Sequence, residues 1–476
     1  MLVLRFPAMP PELPQDIIRE IAGYSIPKFP GPTSLRPPLS LCHISSAWRY
    51  AVQSSPGFWS TLFVKTPDDG NHQRLLNQII EWFRRANNQP LSFFLSLEFY
   101  GPGGDELDRS QYEDFLIQLS PIVAKTRHLG LSSKNMEFVL GYLNSTSLRW
   151  NVDSLDSFDI ASDWPNGIPP PSLDDQSTPI VDLFKDARRL RHISIHGFFF
   201  RENTLHPKFA FPLSNLTTVV LEEPLDDVEW DCVIQSCPRV RYCDVLFNMS
   251  SFDPPRPYSR LLRPDLQILR LGAVNDDYGL VAQIASLELP NLHTLHLYEL
   301  FNDAMLMSPP AFDFQHFLCL HSLILSVGWV DGVDGLIRLF QRTVNVKELT
   351  LLSTTYMIPN SLFQAISYTA SDRILPRLIS LSIHVCHIGF HTFDADIFDD
   401  MIKSRSVGEM PVGCERLQSL AIAMDPEHKK RFKMLFQHVL MPYSAAGLTL
   451  DFTWPYADWD QERTRRRAFR GIFDDL

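Results

Sequence analysis

The densest group of side chains that could bind a metal ion consists of His384, Cys386, His387 and His391. Imidazole and thiolate groups are preferred zinc ligands, but zinc sites normally combine two clusters of paired ligands. No second pair with C-x-x-C or H-x-x-x-H spacing lies near this group. In a strand, His384 and Cys386 share one face while His387 points to the other. We therefore interpret the segment as core residues beside solvated histidines, and we expect no metal and no cofactor.

Sequence motifs that carry catalytic chemistry are missing from the chain. It contains no G-x-S-x-G, no P-loop, no G-x-G-x-x-G and no H-E-x-x-H. The glycines of segment 101–104 lack the lysine and the strand–helix context of a phosphate-binding loop. Cys232, Cys237 and Cys243 are spaced five and six residues apart, which matches no common zinc pattern. We therefore expect a protein that is not an enzyme.

The composition is that of a folded protein with an acidic balance. Apolar residues make up 45% of the 476 residues and charged residues 21%, which argues against extended disorder. The net charge of −12 argues against non-specific binding of nucleic acid. Seven scattered cysteines are typical of a reducing compartment. Because the chain has no signal peptide and no apolar stretch of about 18 residues, we expect a soluble protein of the cytoplasm, the nucleus or both, with no membrane partner.

The C-terminal segment 456–476 is highly charged. Five arginines lie between Arg463 and Arg470, a pattern seen in nuclear-localisation signals and in nucleic-acid-binding segments. Five acidic residues balance them: Asp458, Asp460, Glu462, Asp474 and Asp475. We therefore predict a solvated, self-neutralising tail and no nucleic-acid partner.

Short amphipathic helices are predicted near the N-terminus. Leu13, Ile17 and Ile21 are spaced four residues apart, and Pro14 suits the first position of a helix. Leu41, Ile44, Trp48 and Val52 are spaced three and four apart, which predicts one face of a second helix that Pro56 ends. A third turn begins around Trp59. Such a small module buries a modest core, so we expect it to bury its remaining apolar surface on a partner.

The motifs of this module resemble the F-box. In that family an LP-x-[ED]-[IL]-x-x-x-I helix precedes a V-S-x-x-W-R helix and an L-W-x-x-L end, which segments 13–21, 44–49 and 58–62 match in combination. This chain departs from the pattern in Phe58, which replaces a leucine, and in a loop with five prolines between Tyr24 and Pro38. A helical cap that binds nothing is the alternative. The resemblance implies that the module docks on a Skp-type adaptor. The residues expected at that interface are Leu13, Pro14, Ile17, Ile21, Ile44, Trp48 and Trp59.

A single phrase recurs through the rest of the chain: apolar, two variable, apolar, one variable, apolar. The steps between successive phrases are 35, 26, 24, 26, 26, 28, 26, 32 and 39 residues. The phrases begin at Leu155, Leu190, Leu216, Val240, Leu266, Leu292, Leu320, Val346, Leu378 and Leu417. The pair Leu129 and Leu131 is interpreted as a degraded first repeat. Each phrase predicts a short strand, and segments 228–234 and 335–340 have the periodicity of returning helices.

Phrase and period resemble those of the leucine-rich repeat family. The family places Asn or Cys three residues beyond the last strand leucine, and only Asn248 and Cys386 do so here, which predicts irregular turns. The expected fold class is α/β: a three-helix F-box followed by an irregular leucine-rich-repeat solenoid of strand–helix repeats. Another α/β arrangement is the alternative. The predicted domains are the F-box at 8–65, a connecting helix and cap at 66–125, the array at 126–455 and the tail at 456–476.

Together the two resemblances imply a substrate-recognition subunit of a Skp–cullin–F-box E3 ubiquitin ligase. The F-box would dock on the adaptor, and through it on a cullin–RING ligase, while the array would hold an unknown protein target. The alternative is a non-catalytic interaction scaffold that recruits no cullin.

The target is expected on the concave face of the predicted strands, with the long loops after residues 160 and 385 as the competing site. Residues that alternate with the apolar positions of each phrase point to this face. Tyrosine and arginine are enriched at interface hot spots. The residues expected to bind the target are His192, His196, Tyr242, Asp244, Arg270, His296 and Tyr298.

Overall fold

The structure is a computed structural model, and it describes most but not all of the chain. The described residues are 13–66, 71–97, 109–133, 136–144, 148, 150–162, 180–196, 209–247, 261–273, 284, 287–300, 317–327, 334–353, 358, 360–368, 374–385, 394–424 and 439–452. The loops that compete as the target site, the glycines of segment 101–104 and the tail at 456–476 lie outside them.

The fold is mixed α/β, as predicted, with a long sheet of fourteen strands as its main feature. The strands are β1 (Thr61–Lys65), β2 (Leu91–Leu97), β3 (Thr126–Ser133), β4 (Ser157–Ser162), β5 (His192–His196), β6 (Thr218–Leu225), β7 (Tyr242–Phe247), β8 (Leu261–Leu262), β9 (Ile268–Ala273), β10 (Leu287–Glu288), β11 (Thr294–Leu300), β12 (Ser322–Val327), β13 (Glu348–Ser353), β14 (Ser380–Val385), β15 (Ser419–Met424) and β16 (Thr449–Asp451). Strands β8 and β10 form a separate parallel pair.

Helices lie between many of these strands. They are α1 (Gln15–Ser25), α2 (Ser46–Gln53), α3 (His72–Ala86), α4 (Arg109–Gln118), α5 (Ser120–Val123), α6 (Met136–Leu143), α7 (Asp227–Ser236), α8 (Asp334–Arg342), α9 (Asn360–Ile366) and α10 (Ala395–Ser406). Short 3-10 turns in the described residues span Ser40–His43, Pro56–Trp59, Asp182–Phe184 and Leu213–Asn215. No helix in the described part of the chain combines the length and apolarity needed to cross a lipid bilayer.

Residue contacts divide the chain into two compact units. The first consists of residues 1–194 and 201–212, and the second of residues 195–200 and 213–476. This division falls elsewhere than the predicted domain boundaries, which stay predictions.

Within the second unit, the repeated phrase coincides with the strands and sets their register. Leu269 of β9 lies opposite Leu295 of β11, which lies opposite Leu323 of β12. Leu349 and Leu381 continue the same row on β13 and β14. All of these side chains are buried, because alternate residues of a strand point to the same face. The predicted strands of these phrases are confirmed.

Asparagine side chains donate hydrogen bonds to backbone carbonyl groups in the turns before these strands, which the sequence pattern did not predict. Asn291 donates its side-chain amide to the carbonyl oxygen of Pro264 at 2.8 Å. Asn345 makes the equivalent bond to Leu318 at 2.7 Å. In each case an asparagine that directly precedes the phrase bonds the turn of the phrase before it. The asparagine at 248, which the family pattern pointed to, lies outside the described residues.

The two predicted return helices are confirmed as α7 and α8. Helix α7 begins where Asp226 accepts bonds from the backbone N–H groups of Val228 and Glu229, while Glu229 accepts one from the Asp226 N–H. Trp230 of this helix is fully buried against Phe247, with ring centroids 5.4 Å apart. The helix therefore covers one face of the sheet in this unit.

Within the first unit, the sheet begins earlier than the repeat pattern indicated. Strands β1, β2, β3 and β4 pair in parallel in chain order. The degraded repeat is a complete strand, since Leu129 lies opposite both Phe93 and Phe158. Helix α3, the predicted connecting helix, buries Leu75, Ile79, Trp82 and Phe83. The segment predicted as a cap therefore contributes a strand of the sheet itself.

Candidate functional site

The first helix presents its predicted apolar stripe to solvent. Helix α1 begins at Gln15, directly after Pro14, rather than at Pro14. Ile18 and Ala22 of this helix are buried. Leu13, Ile17 and Ile21 are 48%, 39% and 41% exposed. The stripe is therefore accessible to a partner.

The prediction of one helix through Leu41, Ile44, Trp48 and Val52 was wrong. The chain forms a 3-10 turn at Ser40–His43 and then breaks, because Ser45 is extended and its hydroxyl accepts a bond from the Trp48 N–H at 3.3 Å. Leu41 and Val52 are buried, Trp48 is half-buried, and Ile44 is 57% exposed. These four residues therefore do not share one face, although Ile44 adds to the exposed apolar surface.

The assignment of Trp59 to the adaptor interface is corrected, because its side chain is fully buried. Its indole N–H donates to the carbonyl oxygen of Val52 at 3.0 Å. Its ring packs edge-on against Trp82 at 4.9 Å, and the guanidinium of Arg85 lies 4.6 Å from the ring centroid. The third predicted helix is only the 3-10 turn Pro56–Trp59. Trp59 therefore holds the module together instead of facing a partner.

Five of the seven predicted target-binding residues meet in one hydrogen-bonded network on β7, β9 and β11. We call Tyr242, Asp244, Arg270, His296 and Tyr298 the sheet network. Asp244, Arg270 and His296 lie opposite one another on the three strands. The Arg270 Nε donates to His296 Nδ1 at 2.9 Å and lies 3.3 Å from Asp244 Oδ2. The Arg270 Nη1 donates to the Tyr242 hydroxyl at 3.1 Å.

Both tyrosines of the network donate to the same carboxylate. The Tyr242 hydroxyl donates to Asp244 Oδ2 and the Tyr298 hydroxyl to Asp244 Oδ1, each at 3.1 Å. Tyr298 reaches Asp244 across the intervening strand because its ring lies over Gly272, where a Cβ atom would come within 2.5 Å of the Tyr298 Cε2. Gly272 was not predicted as a site residue. Its place in the phrase, directly after Leu271, is the sequence signal that a side chain is missing from this face.

The predicted target-binding residues differ in how far they are exposed. Asp244 and His296 are only 1% and 2% exposed, while Tyr242, Arg270 and Tyr298 are half-buried. Burial, with Arg270 beside it, holds the pKa of His296 well below its usual value, so this imidazole is neutral and accepts the Arg270 hydrogen bond. His196 is buried in the second unit, with its Nδ1 2.7 Å from Glu222 Oε2. His192 is exposed and belongs to the first unit.

The group of possible metal ligands near residue 384 is described only at His384, which is buried; Cys386, His387 and His391 lie outside the described residues. Among the residues that the structure describes, no three His, Cys, Asp or Glu side chains are grouped as metal ligands. Cys237 and Cys243 are buried, and burial raises the pKa of both thiols, which disfavours the thiolate that zinc needs.

His384 is expected to make folding stability depend on pH. Burial lowers the pKa of this imidazole from 6.5 to about 4. Between these values the unfolded chain binds the proton and the folded chain does not, so stability falls as pH falls from 6.5 towards 4. Denaturant titrations across this window measure the free energy of unfolding at each pH. As pH falls, this free energy should decrease less steeply in the His384→Gln variant than in the wild type, by up to about 1.4 kcal/mol per pH unit. The exposed His43→Gln variant should follow the wild type, and an equal slope in all three proteins would contradict the prediction.

Two buried arginines that the sequence pattern did not single out hold helix ends in the second unit. Arg263 donates to the carbonyl oxygen of Ile234, in the last turn of α7, through two nitrogen atoms at 2.9 and 2.6 Å. Arg405 of α10 donates to the carbonyl oxygen of Ile366, the last residue of α9. Carbonyl groups in the last turn of a helix lack partners within the helix. The two arginines satisfy them.

No protein-family model matches this chain, and no curated protein matches it.

Proposed function

We propose that the chain is the substrate-recognition subunit of a Skp–cullin–F-box E3 ubiquitin ligase. The N-terminal module is proposed to be an F-box that docks on the Skp-type adaptor, and the repeated strands are proposed to be an irregular leucine-rich-repeat array that binds the target protein. The observation that carries the proposal is the exposed apolar surface of Leu13, Ile17, Ile21 and Ile44. These are four of the seven residues predicted for adaptor docking.

An apolar stripe on the outer side of a short helix favours association. Burying a large aliphatic side chain contributes about 1.5–3 kcal/mol, so several of them on one surface can support a stable complex. Helix α1 already buries Ile18 and Ala22 inside the first unit. Its outer stripe is therefore left to a partner rather than to the core.

Such a receptor needs no catalytic residue of its own. The ligase complex supplies the chemistry, and the receptor contributes by holding the target close to the ubiquitin-charged enzyme. The absence of catalytic motifs from the sequence is compatible with this role.

The proposal is tested by co-purification of the full chain with a Skp-type adaptor. Ile17→Glu combined with Ile21→Glu places two charges in the proposed interface and should weaken adaptor binding at least about a hundredfold, because a buried unpaired charge is costly. Ile80→Glu is the matched control, since Ile80 is an exposed isoleucine of α3 outside the proposed interface. It should bind the adaptor as the wild type does.

The double variant should keep its helical circular dichroism spectrum, because glutamate is a good helix former. A folded double variant that binds the adaptor as tightly as the wild type would refute the F-box assignment. Adaptor binding without any cullin in the purified complex would instead support the scaffold alternative.

A further inference from the structure

The charges within the sheet network neutralise each other. Asp244 is its acid and Arg270 its base, and they contact each other at 3.3 Å. The two tyrosine hydroxyls occupy both oxygens of the Asp244 carboxylate. The third polar ring, His296, is neutral because burial and the nearby Arg270 lower its pKa. The network therefore presents no net charge to a ligand.

This arrangement disfavours an anionic ligand at Arg270. A phosphate or carboxylate that bound the guanidinium would compete with Asp244 for it. Asp244 is almost completely buried, so water could not solvate its carboxylate once the contact with Arg270 was lost, and this loss would cost free energy. The guanidinium itself is already held by the Tyr242 hydroxyl and the His296 imidazole. Arg270 is thus a part of the scaffold of this face and not an anion receptor.

Half-buried apolar side chains surround the network on the same face. Val220 lies opposite Asp244, and Ile324 lies opposite His296, so these two residues flank the row of polar side chains. Leu246 lies opposite Gly272, and Ile268 lies opposite Tyr242. With the partly exposed rings of Tyr242 and Tyr298, they form a mainly apolar surface around a buried ion pair. On β6 this surface is bordered by Thr218 and by Glu222, whose carboxylate lies 2.7 Å from His196 Nδ1 and would repel an anionic ligand. Rigid aromatic anchors of this kind are typical of interface hot spots.

We infer that this face binds an uncharged segment of the target that is rich in apolar and aromatic side chains, and that capture of the target requires no phosphorylation. The inference rests on the proposed function insofar as it takes the repeated strands as the target-binding part. Charge complementarity selects the occupant: a neutral, apolar surface pairs best with a neutral, apolar segment. A phosphorylated or acidic peptide is the competing occupant and an outcome of the test.

The test uses the full chain in complex with the adaptor and two peptide probes. One is a phage-displayed random peptide library, and the other is a synthetic library with a fixed phosphoserine or phosphothreonine. Peptides selected from the first library should be rich in aromatic and aliphatic residues. Their affinity should change less than about twofold between low and high salt, because salt screens charge pairs and leaves apolar contacts intact. Selection of acidic peptides, or preferential binding of the phosphorylated library, would overturn the inference.

Variants of Tyr298 separate contact with its ring from contact with its hydroxyl. Tyr298→Ala should lower the affinity for the selected peptides at least about tenfold. Tyr298→Phe keeps the ring, so its affinity for these peptides should stay within about threefold of that of the wild type. Gly272→Ala should resemble Tyr298→Ala, because the added methyl group displaces the ring. Equal losses for Tyr298→Ala and Tyr298→Phe would show recognition of the hydroxyl and overturn the inference, as would peptides that no variant affects.

Asp244→Asn provides the reverse test. It removes the counter-charge of Arg270 and should raise the affinity for the phosphorylated library at least about tenfold over the wild type. An unchanged affinity would contradict the role assigned to Asp244. Co-purification of the adaptor is scored in the same samples, so loss of adaptor binding bears on the proposed function, while the peptide results bear on this face.

Discussion

Replacing Trp59 by alanine is expected to lower the free energy of unfolding by about 4 kcal/mol, as is typical of a large aromatic residue removed from a core. The side chain is fully buried, contacts Trp82 and Arg85, and donates its N–H to the carbonyl oxygen of Val52. The alanine variant would leave a cavity between the N-terminal module and α3. It would also remove one donor from the Val52 carbonyl oxygen, which keeps the N–H of Ser55 at 3.2 Å. Urea denaturation monitored by circular dichroism measures the effect.

Trp48 is the matched control for this prediction. It is half-buried, on α2, so Trp48→Ala should lower the free energy of unfolding by only about 1 kcal/mol. Under the proposed function, Trp48→Ala should instead weaken adaptor binding in the folded protein. If Trp59→Ala were as stable as Trp48→Ala, the core position of Trp59 would be disproved.

The second large effect is expected at Arg405, whose replacement by alanine should destabilise the protein by about 3–5 kcal/mol. The guanidinium is buried and donates to the carbonyl oxygens of Ile374 and Leu375 at 2.6 and 3.2 Å, besides that of Ile366. It also stacks 4.1 Å from the ring centroid of Tyr368. Burial lowers the pKa of Arg405 to about 10, so the side chain is still charged at neutral pH. Removing it takes a donor away from three buried carbonyl groups, of which that of Leu375 keeps the N–H of Leu378 at 3.2 Å.

Arg377→Ala is the control, because Arg377 is an exposed arginine of the same unit. Its substitution should change the free energy of unfolding by less than about 0.5 kcal/mol. Arg405→Lys should remain strongly destabilised, because a single ammonium group lacks the planar fork that reaches several carbonyls at once. A lysine variant as stable as the wild type would show that charge alone, and not the three hydrogen bonds, is what the site requires.

The strands were predictable because their signal is repeated and physical. Leu269, Leu295 and Leu323 recur at the same place in each phrase. Because alternate residues of a strand point to opposite faces of the sheet, this repetition predicts which face is buried. The break at Ser45 was not predictable from spacing alone. Serine is compatible with a helix interior and with its start, and only the hydrogen bond from the Trp48 N–H decides between them.

The sequence predicted that the residues of the sheet network share one face, but not how they are bonded and buried. The phrase places Asp244, Arg270 and His296 on one face, because their strands are in register. The phrase does not predict that Asp244 and His296 are buried. Their burial depends on the packing of larger side chains around them, which the spacing of the phrase does not specify. Trp59 shows the same limit: the F-box-like spacing marks it as important without distinguishing a core residue from a contact residue.

The place of β1 in the sheet determines how the N-terminal module can be removed. Its residues Thr61–Lys65 pair along their whole length with β2, and Trp82 of α3 donates its N–H to the carbonyl oxygen of Thr61 at 3.1 Å. Deleting residues 1–65 would remove β1 from the edge of β2. It would also leave the rings of Trp82 and Phe94 without their packing partners, Trp59 and Phe29. An unpaired strand edge beside apolar surface promotes aggregation. Loss of target capture in such a truncated protein would therefore report misfolding, and point substitutions on α1 are the sound way to separate adaptor binding from target binding.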